Sequence, residues 1–148
     1  MKNYRIATIA DIPTVLPMMR AFYDFERIAF NEERATELLR ELVRDSRNGR
    51  LVMIESENTT AGYMVVGFGF SIEFGGRDAL LDELFIVPEF RGKGLGTGAV
   101  DFAFNLCAEN EIEALHLEAD HFNERAHDLY LRLGFKDHER HLMTKWLA

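Results

Sequence analysis

The sequence predicts one α/β domain built on a mixed β-sheet, and three observations carry that reading. Apolar residues recur first with the period of a strand, then of helices, then of strands, and afterwards alternate between the two. No internal repeat, linker or low-complexity run interrupts them, so residues 1–148 read as one domain. The 148 residues, 47% of them apolar, are enough to bury about 70% of the unfolded surface without a metal or disulfide staple.

The elements follow in order. Tyr4, Ile6 and Thr8 alternate with Arg5, Ala7 and Ile9, a first strand. Asp11 is the expected cap of the helix after it, Pro13 suits its first turn, and Pro17 threatens a kink. Asn31 is the expected cap of a second helix, Glu32 to Asp45, with Leu38, Leu39, Leu42 and Val43 at helical spacing. Asn48-Gly49 closes it as a turn. Leu51 to Ile54 and Gly62 to Phe70 read as an antiparallel hairpin across the polar Ser56 to Thr60. After Gly75-Gly76, Ala79 to Val87 is nearly continuous in apolar residues, broken only by Asp82 and Glu83, as expected of a central strand. Leu95, Ala99, Phe102, Ala103 and Leu106 trace a helix, and Ala114 to Ala119 a strand. Ala126, Leu129, Tyr130 and Leu133 mark a short helix stopped by Gly134. A last β segment is expected from Phe135, with Leu142 to Leu147 closing the sheet.

Seventeen basic residues against 25 acidic ones give a formal charge of −8, which does not suit a nucleic-acid partner. The single cysteine, Cys107, excludes an internal disulfide and a thiol-rich metal site. It falls in the apolar helix pattern and reads as a small hydrophobe. His116, His121, His127, His138 and His141 show no metal-ligand spacing, so no metal is expected. No signal-peptide block opens the chain, and no window nears about eighteen consecutive apolar residues; a cytoplasmic protein that does not engage a membrane is expected.

The most informative stretch is Leu84-Phe85-Ile86-Val87-Pro88-Glu89-Phe90-Arg91-Gly92-Lys93-Gly94-Leu95-Gly96-Thr97-Gly98. A buried strand runs into alternate glycines, and a helix starts directly after. Glycines admit a ligand to the backbone, and a helix start offers free N–H groups, so the stretch suits a phosphate or pyrophosphate. A P-loop is ruled out because Lys93 is followed by Gly94 rather than Ser or Thr. Gly94, Gly96, Ala99 and Glu118 imitate a dinucleotide fingerprint. That fingerprint begins at the end of its strand, however, whereas Pro88 to Arg91 intervene here.

Arg91-Gly92-Lys93-Gly94-Leu95-Gly96 matches the R/Q-x-x-G-x-G/A signature of the GNAT superfamily of N-acetyltransferases, which the chain resembles. Asp82 to Pro88 is similar to that family's fourth strand, and Asn123-Glu124-Arg125-Ala126, Leu129-Tyr130 and Leu133-Gly134-Phe135 to its second signature. The resemblance covers essentially the whole chain. It implies a mostly antiparallel central sheet with splayed fourth and fifth strands and helices on both faces. It also implies acetyl-CoA as cosubstrate. The backbone of Leu84, Phe85, Ile86 and Val87 would pair with the pantetheine arm as an added strand. The N–H groups of Gly92, Lys93, Gly94, Leu95, Gly96 and Thr97 would cradle the pyrophosphate, with Arg91 opening the signature. Asn123 would hold the pantetheine or acetyl region, and Tyr130 would lie near the sulfur and protonate the departing thiolate. Family members often dimerise through their C-terminal strands, so a homodimer is expected.

Acyl transfer to a primary amine needs a group that takes the amine's proton, because an alkylamine with a pKa near 10 arrives charged. Glu83 and Asp82 are the carboxylates within the central strand, and either suits. Regular alternation puts Glu83 on the face of Leu81 and Phe85 and Asp82 on the opposite one, unless a bulge intervenes. From spacing alone Tyr130 reads as core and Asn123 as a helix cap. Asp24, Glu26 and Glu73 lie in the segments that the resemblance implies for the acceptor side; with Asp82 and Glu83 they would make it anionic and favour a cationic amine, on a small molecule or a peptide. The competing reading is a non-catalytic acyl-CoA-binding module on the same fold.

Overall fold

Strand β1 (Lys2–Ile6) lies antiparallel to β2 (Gly49–Ser56), β2 to β3 (Thr59–Ser71), and β3 to β4 (Gly76–Ile86). Only β5 (Ala114–His116) runs parallel to its neighbour, β4. The order is β1-β2-β3-β4-β5 in one open sheet. The computed structural model describes all 148 residues and divides into two compact units, 1–117 and 118–148. The sheet lies wholly in the first unit, with helices α1 (Ile12–Phe25), α2 (Glu32–Arg44) and α3 (Leu95–Glu109). The second unit contains α4 (Glu124–Arg132).

Alternation gives the sheet two apolar faces, and both are covered. Leu51 and Met53 of β2, Tyr63 and Val65 of β3 and Phe85 of β4 form one buried cluster with Ile12, Val15, Met18 and Met19 of α1 and Leu39 of α2. On the reverse face Tyr4, paired with Ile54, stacks on Phe102 of α3 at 5.9 Å and donates its hydroxyl to the Leu95 carbonyl at 2.9 Å. Leu95, Ala99, Val100, Ala103, Leu106 and Cys107 are the buried side of α3. The β2–β3 hairpin turns on Glu57 and Asn58, both with positive φ (52° and 62°), the tight turn that matches strand twist.

Asn31 caps α2 as expected, its Oδ1 accepting the Arg34 N–H at 3.0 Å. Pro17 lies inside α1, which continues through it. Asp11 does not cap α1. Its carboxylate takes the Thr8 N–H at 2.8 Å and both ends of the Arg5 guanidinium at 2.8 and 2.9 Å, a charge-assisted fork stronger than a neutral cap bond.

Two strand expectations fail. Ala114 to Ala119 shortens to Ala114–His116, and no strand forms from Phe135 onward or over Leu142 to Leu147. Leu142, Met143, Trp146 and Leu147 are instead 75–89% exposed. A strand exists only where a neighbour takes its N–H and C=O groups, and apolar content supplies no neighbour.

Candidate active site

β4 is held on both sides only over its first half. Asp78, Ala79 and Leu80 pair with Ala114, Leu115 and His116 of β5, and beyond Leu80 that edge of β4 has no strand beside it. The Val87 N–H donates to the Ala61 carbonyl at 2.8 Å, so Phe85, one pair along, also turns its groups to β3. Leu84 and Ile86 therefore turn their N–H and C=O groups to the open edge, where the Arg91 side chain already takes the Ile86 carbonyl. Of the four residues expected to pair with a ligand strand, these two are so oriented, while the Val87 N–H is already taken.

The chain leaves β4 through a single turn at Pro88–Phe90 and enters the glycine loop. Gly92 and Gly94 have φ of 77° and 80°, a region that favours glycine. None of the N–H groups from Gly92 to Thr97 donates to a backbone acceptor; the first bond of α3 is Gly98 N–H to the Gly94 carbonyl at 3.1 Å. Gly96 has an ordinary helical backbone, and a Cβ there would meet nothing within 4 Å. Nothing inside the chain requires that glycine, whereas a ligand lying against the helix start would. Gly98 has an internal reason, since a Cβ there would collide with the Tyr4 hydroxyl. Arg91 folds back, donating its Nε–H to the Ile86 carbonyl at 2.8 Å with its guanidinium over the Phe85 ring. The Lys93 ammonium lies over Phe90 at 5.4 Å.

The two strand carboxylates do not alternate. Val65 pairs with Glu83 and Val66 with Leu81, so Asp82 is the extra residue of a β-bulge. Glu83 shares the face of Phe85, Tyr63 and Val65, but Leu81, opposite Val66, lies on the reverse face. Asp78 and Leu80, opposite Gly69 and Gly67, lead Asp82 onto the same face as Glu83. The bulge thus aims both carboxylates the same way, correcting the expectation from regular alternation.

Glu83 is half-buried. Its Oε1 accepts the Tyr63 hydroxyl at 2.7 Å and its Oε2 the Tyr23 hydroxyl at 2.5 Å. Burial raises its pKa, the two phenol bonds oppose that rise, and Asp82 adds to it. Burial, with Glu83 beside them, pushes the Tyr23 and Tyr63 phenols far up, so both stay protonated. Asp82 is exposed, and partial desolvation alone raises it. Neither tyrosine was singled out from the sequence. Tyr23 falls in the apolar pattern of α1, Tyr63 falls in that of β3, and their partner is 60 and 20 residues away.

Next to Asp82 an open groove of about 280 Å³ is lined by Gly67, Gly69, Asp78, Leu80 and His116 among others. His116 Nε2 lies 3.1 Å from Asp78 Oδ2. Asp24, Glu26 and Glu73 are exposed and do not line the groove. In the second unit, Asn123 Oδ1 accepts the Ala126 N–H at 3.1 Å and caps α4. Tyr130 stands edge-on to Phe135 at 5.8 Å, and burial raises its phenol.

A strand with an open edge, running into a loop of free N–H groups at a helix start, fits an extended ligand ending in a diphosphate. The model of the acetyltransferase (GNAT) family matches residues 16–135. The chain belongs to that family. An uncharacterized N-acetyltransferase, YhfO, of Bacillus subtilis is 27% identical over 136 residues, covering 91% of this chain and 90% of its own. The thialysine N-epsilon-acetyltransferase of Mus musculus is 24% identical over 148 residues, covering 90% of this chain and 83% of its own. Among solved structures, integron cassette protein HFX_CASS3 from the mobile metagenome of Cole Harbour Salt Marsh superposes with a TM-score of 0.86. It is 31% identical, over 98% of this chain and 90% of its own. This GNAT protein is an acetyl-CoA-dependent N-acetyltransferase, moving an acetyl group from the thioester to an amine.

Proposed function

We propose that the open edge of β4 and the loop from Arg91 to Thr97 hold acetyl-CoA, that Glu83 is the base, and that the acceptor is a cationic, lysine-like primary amine. The observation that carries this reading is continuity: the N–H groups from Gly92 to Thr97, the exposed edge at Ile86 and Leu84, and the Glu83 carboxylate follow one another along one stretch of chain. The loop N–H groups and the positive end of α3 bind the diphosphate. The Ile86 N–H and the Leu84 carbonyl pair with the pantetheine amides, and Leu84 N–H, next to Glu83, donates to the thioester oxygen as charge develops there. Glu83 takes the amine's proton, after which the nitrogen lone pair attacks the carbonyl carbon. Tyr130 keeps the role the resemblance gives it, returning a proton to the departing thiolate, and Asn123 keeps its place beside the pantetheine.

Glu83 is favoured over Asp82 because it is half-buried and held at both oxygens, while Asp82 is exposed. Asp78 and Asp82 along the groove, together with the mouse relative named for thialysine, support a cationic acceptor, carried on a small molecule or a peptide. A panel of amines with acetyl-CoA, followed by thiol release, tests this: lysine-like amines should turn over fastest. Best turnover on neutral or acidic amines would remove the acceptor assignment. The reading takes residues 1–148 as one catalytic domain in the cytoplasm, and as a homodimer. The exposed Leu142, Met143, Trp146 and Leu147 offer a second copy an apolar surface. A monomeric mass by light scattering at all concentrations would remove the dimer.

A further inference from the structure

The Glu83 carboxyl lies in a half-buried site with no cation beside it. Tyr23 of α1, Tyr63 of β3 and Asp82 of β4 are the titratable groups that face it, and none is positive. A carboxylate kept only for stability in such a place would be better paired with a cation or replaced by an apolar side chain. Here it is held by neutral donors alone, so its negative charge, once formed, has no compensating cation beside it.

The two donors are themselves fixed. The Tyr63 ring is wholly buried and packs on Phe85 at 6.2 Å. The Tyr23 ring packs edge-on against Phe22 and Phe30 at 5.9 and 5.4 Å, and the Tyr23 carbonyl accepts the Ile28 N–H at 2.8 Å. Each phenol oxygen therefore has one place to be, and between them they fix the plane of the carboxylate.

We infer that Tyr23 and Tyr63 are positioning residues of the acetyl transfer: Tyr63 locks Glu83 Oε1 from inside the core, and Tyr23 holds Oε2 on the less enclosed side. This inference rests on Glu83 being the base. The two hydroxyls divide the work unequally. Tyr63 is enclosed, so its bond is the same with and without acceptor. Tyr23 is only half-buried, and the amine N–H must share Oε2 with its hydroxyl as the proton passes from nitrogen to carboxylate. Both phenols donate to the ionised carboxylate and favour it, so removing either raises the pKa of Glu83 and moves the acid limb of the rate profile to higher pH.

The test compares wild type, Tyr23→Phe, Tyr63→Phe and Glu83→Gln on one lysine-like amine, recording kcat and KM from pH 5 to 9, acetyl-CoA affinity by calorimetry, and Tm. Both phenylalanine variants should bind acetyl-CoA as wild type does and show an acid limb about one pH unit higher, the size expected for one hydrogen bond to a charged group. Tyr23→Phe should also raise the acceptor KM several-fold, whereas Tyr63→Phe should lower kcat with KM nearly unchanged. If Tyr63→Phe fails to fold, the half-buried Tyr23→Phe decides alone. Acid limbs that superimpose on wild type, with Glu83→Gln inactive, overturn the inference and leave the base intact. Full activity in Glu83→Gln would remove the base and the inference together.

Discussion

Gly96 separates a ligand's demand from a fold's demand. Gly94 needs its positive φ, so any side chain there strains the backbone before a ligand is considered. Gly96 has helical φ and open space, and valine is less costly than glycine in a helix. Gly96→Val should therefore keep the wild-type Tm within a few degrees while losing the stabilisation by CoA. In wild type that stabilisation is ~2.7 kcal/mol when free ligand stands at about a hundred times its Kd. A Gly96→Val protein still stabilised by CoA like wild type would show that the ligand does not lie against this helix start. The loop and the carboxylates were legible at this scale because their residue types are unusual for their surroundings. Tyr23 and Tyr63 were not, because an aromatic ring in an apolar position is what packing alone requires, and only the fold reveals where the hydroxyl points.

At the scale of elements, α3 approaches β1 closely because Gly98 makes room for Tyr4. A Cβ at Gly98 would collide with the Tyr4 hydroxyl and stand 2.8 Å from its ring. Gly98→Ala should cost about 1–3 kcal/mol as helix and strand move apart, read as a lowered Tm in thermal unfolding. An unchanged Tm would mean that Tyr4 repacks freely. β1 is also tied to the start of α1 through Arg5 and Asp11. The guanidinium holds the Asp11 carboxyl down to about 2, below its ordinary 3.8. A depressed folded-state pKa gives stability that is full above the ordinary value and lost as pH falls through the folded one. The Tm advantage of wild type over Asp11→Asn should therefore shrink between about pH 4 and pH 2; a constant advantage would show that the charge contributes nothing. The sequence placed these elements by their periods, and their ends moved by a few residues. The bulge at Asp82 was not legible, because it depends on how β3 and β4 are registered, a property of two segments rather than one.

For the whole molecule, the element order from β1 to α4 follows from periodicity, and the splay of β4 from β5 was legible only through the family resemblance. The expected last strand does not form, because the apolar run at Leu142 to Leu147 has no strand beside it. Every buried apolar side chain lies in residues 1–117, the last of them Cys107. The catalytic reading depends on what that first unit presents: one open strand edge ending in a cradle of amide hydrogens. Isothermal titration of the purified protein with acetyl-CoA measures that claim most directly. Saturable binding of one acetyl-CoA per chain, abolished by Gly96→Val and preserved in Glu83→Gln, is the expected result. Absence of any heat of binding from the folded protein would contradict the account.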